Sequence, residues 1–236
     1  MRVARLVEPE PSLRADLQQA LSTYIGGADT SHDLAHADRV WLNAREIASN
    51  EERANLRILI AAAYLHDLVS LPKDHEDRHK SSTLSADKAK PILQQLGYTA
   101  DETTQVQHVI AAHSYSANIA PETIEAMILQ DADRLDALGA IGIARTFAVS
   151  GALGRPIYDA ADPFAKARQL DDRKFAIDHW PIKLLRLAAL MNTDSGKALA
   201  RQRIILMKGF LTQLASELGT ALPADWDEIQ KWRGHY

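Results

Sequence analysis

The chain of 236 residues contains no cysteine. This absence excludes disulfide bonds, thiolate zinc sites, cysteine-ligated iron–sulfur clusters and a cysteine nucleophile. Nine histidines are present. A bound metal would therefore have to be held mainly by imidazole and carboxylate groups.

The sequence also lacks a strong charge bias and a long apolar run. Its 27 Lys and Arg residues face 31 Asp and Glu residues, which gives a formal net charge of −4. A slightly acidic chain is not expected to bind a nucleic acid polymer. No run approaches the roughly 18 apolar residues of a membrane span, and the start, with Arg2 and Pro9, does not look like a secretory signal. We therefore expect a cytoplasmic protein without membrane contact.

Glycine and proline are few, at 11 and 9 residues, and they fall mostly between stretches of helical period. No strand-like alternation of apolar and polar residues persists, so the sequence predicts an all-α fold. We expect helices over about 11–25, 34–49, 52–68, 83–96, 100–112, 121–137 and 140–149. The run 58–65 is apolar all round, which indicates a buried central helix.

The length predicts a single domain over residues 1–236. Its core would lie within about 12–149. Residues 151–178 are charged and rich in turn formers, and so long a connection is typical of a mobile loop or lid. Helices over about 181–218, broken near 192–195, would end the domain.

Two histidines and one aspartate fall at the edge of the predicted core. His36 shares a helix face with Val40 and Ala44. His66 and Asp67 directly follow the most apolar run, where a charged carboxylate is costly unless it is paired or binds a cation. These positions favour a functional site over ordinary core packing.

Two further candidates lie in the next helices. Asp133 lies beside the apolar face formed by Ile128, Ala132 and Leu135, and His113 has an inward phase in its own helix. His36, His66, Asp67 and Asp133 together would suit one divalent ion, which could be Mn, Fe, Co, Ni, Zn or Mg.

The order His36, His66-Asp67, Asp133 resembles the HD-domain superfamily of metal-dependent phosphohydrolases. The flanking stretches 31–40, 62–67 and 132–135 resemble its motifs as well. The sequence is similar in particular to a bacterial subgroup of small, uncharacterised HD-domain hydrolases through stretches 71–73, 130–142 and 191–197. The resemblance spans about residues 12–218.

This resemblance implies a compact HD-domain-type helical bundle with the metal site between its central helices. It also implies hydrolysis of a phosphorylated small molecule, with Asp67 orienting the attacking water. We expect a nucleotide substrate, for instance a deoxynucleoside triphosphate cleaved to monophosphate and pyrophosphate. The alternatives are a phosphomonoesterase, a cyclic-nucleotide phosphodiesterase or a nucleotide-binding regulator without turnover. The protein would act as a monomer or homodimer.

Further roles are hypotheses drawn from the resemblance and from local charge. Glu76 or Asp77, in the polar loop that follows His66-Asp67, would assist as the base. His113 is the candidate for a second metal. The candidates for binding substrate phosphate are Lys73, Arg39, Arg78, Lys80, Arg134 and Lys197.

Overall fold

The protein is all-α, as its sequence predicts. The structure, a computed structural model, describes residues 9, 11–24, 33–51, 53–71 and 75–227. Within these ranges every regular element is helical and no strand is present. The α-helices are α1 (Pro11–Ser22), α2 (Leu34–Ala48), α3 (Leu56–Leu65), α4 (Ser81–Gln95), α5 (Ala100–His113), α6 (Ile124–Asp136), α7 (Gly139–Ala152), α8 (His179–Ile182), α9 (Asp194–Glu217) and α10 (Ala224–Asp227). Short 3-10 helices cover Arg78–Lys80, Tyr115–Ala117 and Leu184–Leu190.

The predicted helix over 52–68 is shorter than expected, because both of its ends are set by polar groups. The Asn55 side chain accepts hydrogen bonds from the backbone N–H groups of Arg57 and Ile58, and this cap starts α3 at Leu56. His66 is the C-terminal cap residue. The apolar run therefore stops being helical just where the two polar residues begin.

Helix α3 is the central helix of its part of the chain, as predicted. Residues 58–65 are almost completely buried, and α3 packs against α1, α2, α4 and α5. Burial of so many aliphatic side chains is the main source of stabilisation for such a helix. It also brings the residues after Leu65 to a position surrounded by other helices.

The chain forms two compact units, Met1–Asp133 and Arg134–Tyr236. In the second unit, α7 packs against α9, and the 3-10 helix Leu184–Leu190 packs against α8 and α9. The expected break near 192–195 is present, since the Thr193 side chain accepts from Gly196 N at 2.9 Å and starts α9 at Asp194. The single domain over 1–236 stays a prediction.

Residues 151–178 contain little helix but many internal polar contacts. The Asp162 carboxylate accepts hydrogen bonds from the backbone N–H groups of Lys166, Ala167 and Arg168 at 2.8–3.1 Å. The Arg168 guanidinium donates to both carboxylate oxygens of the fully buried Asp178, at 2.5 and 2.9 Å. These contacts define the path of the segment, and its role as a lid stays a prediction.

Within the described ranges, no single helix is both long enough and apolar enough to span a membrane. Helices α6 and α7 reach the length and apolar composition of a membrane span only when they are counted together, as a pair with a bend between them. Helix α3, although strongly apolar, has ten residues.

Candidate metal centre

The four expected ligands and His113 come from the ends or edges of four helices in the first unit. His36 is the third residue of α2, which starts early enough to include it because the Asp33 side chain accepts from His36 N at 2.8 Å. His66 and Asp67 directly follow α3, and His113 is the last residue of α5. Asp133 lies in the last turn of α6.

The structure brings these five side chains together. His36 Nε2 lies 3.3 Å from His66 Nε2, 3.5 Å from Asp133 Oδ1 and 3.8 Å from Asp67 Oδ2. His66 Nε2 lies 3.2 Å from Asp67 Oδ2, and His113 Nε2 lies 3.5 Å from Asp67 Oδ1. Ligand atoms of His36, His66 and Asp67 all lie within 4.8 Å of one another.

Two of the imidazoles are held in one tautomer by their own helices. His66 Nδ1 lies 2.9 Å from the Ala63 carbonyl oxygen, and His113 Nδ1 lies 2.6 Å from that of Ile110. A carbonyl oxygen can only accept, so each Nδ1 carries the proton and donates it. In the neutral ring the Nε2 lone pair then points at Asp67, as in a metal-binding histidine.

The surroundings of this cluster favour positive charge. Burial opposes a charge on His66, but the negative charge of Asp67, and then that of Asp133, outweighs it and raises the pKa of the His66 imidazole to about 9. Helices α3 and α5 both end at the cluster, and the C-terminal end of a helix carries negative partial charge. A cation would therefore be stabilised among these groups.

The donor set fits a divalent ion in both chemistry and spacing. Two ligand atoms that each lie about 2.1 Å from a shared ion are about 3.0 Å apart at adjacent octahedral positions and about 3.4 Å apart at tetrahedral ones. The distances from His36 Nε2 to His66 Nε2 and to Asp133 Oδ1, at 3.3 and 3.5 Å, are of this size. The imidazoles are buried, whereas the Asp67 and Asp133 side chains are 20% and 33% exposed. The site therefore opens to solvent on its carboxylate side.

The two expected base candidates lie on the surface. Glu76 is exposed and makes no hydrogen bond or ion pair with the described residues. Asp77 Oδ1 pairs with Lys80 Nζ at 2.6 Å, and this hydrogen bond lowers the pKa of the Asp77 carboxyl. A lowered pKa makes a carboxylate a weaker base, which counts against Asp77 as the base.

The expected phosphate-binding cations are spread over the two units. Arg78 donates to the Leu71 carbonyl at 3.3 Å, and its 3-10 helix packs against the Tyr115–Ala117 turn that follows His113. Arg39 lies on α2, one turn after His36. Lys73 lies outside the described residues.

Two of these cations belong to the second unit and make contacts there. Arg134 donates to the Leu190 carbonyl. Lys197 Nζ lies 3.2 Å from Asp194 Oδ1, in the first turn of α9. Their role towards substrate stays a prediction.

Two buried amides next to the site were not expected from the sequence. Asn43 donates to the Ala132 carbonyl, and Gln130 donates to the Ala112 carbonyl. The sequence does indicate that Asn43 lies near the site, because it comes seven residues after His36 and therefore lies on the same face of α2. Gln130 lies in the stretch 130–142, which carries part of the family resemblance.

Comparison with known proteins agrees with the site. The HD domain model matches residues 33–138, a range that contains all five residues of the cluster. The uncharacterized protein YpgQ of Bacillus subtilis (strain 168) is 35% identical over 193 residues, which are 80% of this chain and 85% of YpgQ.

Solved structures show the same fold. The crystal structure of Bacillus subtilis YpgQ in complex with ADP matches with a TM-score of 0.65 and 31% identity, over 87% of this chain and 95% of YpgQ. An HD-superfamily hydrolase from Bacillus thuringiensis matches with a TM-score of 0.66 and 34% identity, over 88% of this chain and 95% of its own. The chain therefore belongs to the HD-domain superfamily of hydrolases. Within it, the chain groups with the small YpgQ-like proteins of bacteria.

Proposed function

We propose that the protein is a metal-dependent phosphohydrolase that uses one divalent ion. The observation that supports this most is the convergence of His36, His66 and Asp67 within 4.8 Å, with Asp133 Oδ1 at 3.5 Å from His36 Nε2. Neutral imidazole and carboxylate are ligands that Mn, Fe, Co, Ni, Zn and Mg sites use in different proportions. Four such groups leave coordination positions for water and substrate, as a catalytic site requires.

In this proposal His36, His66, Asp67 and Asp133 hold the ion. When bound, a divalent ion lowers the pKa of its water and neutralises charge on phosphoryl oxygens. Asp67 orients the attacking water through its partly exposed carboxylate, and Glu76 assists as base from the neighbouring loop. Arg39, Arg78 and Lys80 are the first-unit cations proposed to meet the substrate phosphates.

The proposed substrate is a nucleotide. The YpgQ chain in the crystal structure with ADP is 31% identical to this chain. That complex supports a nucleotide as the ligand of this chain as well. For a deoxynucleoside triphosphate, water would add to the α-phosphorus and the bond to the β-phosphate oxygen would break. The products would be the nucleoside monophosphate and pyrophosphate.

Turnover with a panel of phosphorylated compounds tests this function. The purified protein is assayed with deoxynucleoside triphosphates, nucleoside mono- and diphosphates and cyclic nucleotides, each with Mn, Co, Ni and Mg. We expect pyrophosphate release from triphosphates. Asp67→Asn should abolish it, whereas Asp87→Asn, which changes an exposed carboxylate on α4, should not.

Other outcomes point to the other functions. Release of inorganic phosphate from monophosphates would indicate a phosphomonoesterase, and opening of cyclic nucleotides would indicate a phosphodiesterase. Binding of metal and nucleotide without any turnover would contradict the proposal and favour a regulator.

A further inference from the structure

Helix α6, which carries Asp133, is tied to the helices on either side of it by buried side-chain amides. Asn43 of α2 donates from Nδ2 to the Ala132 carbonyl oxygen at 3.0 Å. Gln130 of α6 donates from Nε2 to the Ala112 carbonyl oxygen of α5 at 3.0 Å. Asn43 and Gln130 are 5% and 6% exposed, so both bonds are shielded from water.

Each amide binds the residue that immediately precedes a residue of the cluster. Ala132 precedes Asp133, and Ala112 precedes His113. Asn43 also lies on the helix that carries His36. The two amides therefore link the helices of His36, Asp133 and His113 at the level of the cluster.

Side chains also satisfy the backbone carbonyls at the C-terminal end of α5. The last carbonyls of an α-helix have no N–H partner within the helix. Here the carbonyl of Ile110 accepts from His113 Nδ1 at 2.6 Å, that of Ala111 accepts from Ser82 Oγ at 2.9 Å, and that of Ala112 accepts from Gln130. Side chains of three helices thus satisfy three consecutive carbonyls just before the cluster.

We propose that Asn43 and Gln130 are positioning residues of the metal centre, which fix the separation of α2, α5 and α6 at which Asp133 and His113 face His36, His66 and Asp67. The inference rests on the proposed metal site and adds to it two residues that would act through the helices carrying the ligands. Ligand orientation tolerates little error, and loss of an outer partner commonly costs about 10–100-fold in metal affinity.

The chain offers a matched control for Gln130. Gln107 of α5 also donates its amide to a helix carbonyl, that of Ala86 in α4, at 3.1 Å. Gln130→Met and Gln107→Met both remove such a donor while keeping the length of the side chain. Only Gln130 lies next to the cluster, so only its loss should act on the metal.

The test compares Mn²⁺ affinity and metal-free thermal unfolding for the wild type, Gln130→Met, Asn43→Leu and Gln107→Met. We expect Mn²⁺ affinity to fall about 10–100-fold in Gln130→Met and Asn43→Leu and to stay near the wild-type value in Gln107→Met. The metal-free melting temperature should fall in both Gln130→Met and Gln107→Met, and more in Gln130→Met, because its hydrogen bond is buried whereas that of Gln107 is partly exposed. Equal Mn²⁺ affinity in these two variants would overturn the proposal.

A second variant covers the case in which Gln130→Met does not fold. Gln130→Asn keeps the buried amide but draws it back by one methylene, so it cannot reach the Ala112 carbonyl. It should fold and also bind Mn²⁺ more weakly, and wild-type affinity in Gln130→Asn would overturn the proposal as well. Hydrolysis is not part of this readout. Absence of turnover in a wild type that binds Mn²⁺ would contradict the proposed function alone, and absence of Mn²⁺ binding would contradict both.

Discussion

His113 Nε2 lies 3.5 Å from Oδ1 of Asp67, whereas His66 Nε2 lies 3.2 Å from Oδ2 of the same carboxylate. The two oxygens of Asp67 thus face two different histidines, and the rings of His66 and His113 meet edge to face at 4.8 Å. Asp67 would therefore contact both the proposed single ion, on the side of His66, and a second ion, for which His113 is the candidate ligand.

The number of ions per chain decides the role of His113. We expect metal analysis of the purified protein to give one equivalent per chain, because His36, His66, Asp67 and Asp133 already supply four ligands. His113→Gln should keep that one equivalent. Two equivalents in the wild type, falling to one in His113→Gln, would contradict the single-ion proposal and identify His113 as a ligand.

Loss of a proposed ligand should cost more than loss of an outer partner. We expect His66→Ala and Asp133→Asn to lower Mn²⁺ affinity by more than about 100-fold, which is the upper end of typical outer-shell effects. Isothermal titration with Mn²⁺ measures the change. Asp87→Asn serves again as the surface control, and a loss of less than about tenfold in Asp133→Asn would remove Asp133 from the ligand set.

Binding of metal should stabilise the fold of the first unit. An ion that binds only the folded state adds about 2.7 kcal/mol when its concentration is 100 times its Kd. We therefore expect Mn²⁺ to raise the melting temperature and a chelator to lower it again. The shift should vanish in Asp67→Asn, and a shift of full size in that variant would speak against Asp67 as a ligand.

The start of α5 should make stability depend on pH in the acid range. Glu102 accepts from Thr99 N in a capping box, and this backbone hydrogen bond, together with the charge of Arg57, lowers the pKa of the Glu102 carboxyl below its ordinary value of 4.5. A lowered folded-state pKa stabilises the fold above the ordinary value, and the stabilisation is lost as the pH falls through the folded value.

Glu102→Gln tests this dependence by urea unfolding at several pH values. At pH 7 the variant should be less stable by up to about 1 kcal/mol, since the group is near the surface. The difference from the wild type should shrink as the pH falls below 4.5. Asp101→Asn, which removes a neighbouring acid but not the capping box, should have the smaller effect, and a pH-independent difference for Glu102→Gln would contradict the assignment.

The buried pair in the segment 151–178 should contribute strongly to its order. Asp178 is fully buried and accepts from Arg168 and from Asp171 N at 2.7 Å. Asp178→Ala removes the carboxylate that accepts two hydrogen bonds from the Arg168 guanidinium, which should cost about 2–4 kcal/mol because Arg168 keeps some exposure and its other contacts. Urea unfolding and limited proteolysis of the segment measure this. A cost below about 1 kcal/mol would place the pair among surface ion pairs.

Helical phase predicts that the main candidate residues lie beside the core, and the family resemblance adds the prediction that they bind a metal. His36 and Asp133 share faces with aliphatic residues, and His66-Asp67 follows an apolar run, so their helices could only turn them towards the core. The ends of α3 were predicted less well, because the cap by Asn55 stops a helix that the apolar pattern alone would continue.

Contacts between distant residues could not be predicted in this way. The Asn43 and Gln130 amides bind backbone carbonyls 89 and 18 residues away, and a carbonyl has no residue-specific sequence signal. The pairing of Asp77 with Lys80, which makes Asp77 a poorer base, depends on the turn Arg78–Lys80. The sequence pattern predicts only a polar loop over 73–82, without this short helix.

The convergence of the C-terminal ends of α3 and α5 on two carboxylates has a kinetic consequence. A phosphate group that approaches this place before any cation is bound meets negative charge from Asp67, from Asp133 and from both helix ends. For the proposed metal site and nucleotide substrate, we therefore expect the ion to bind first and the nucleotide to follow.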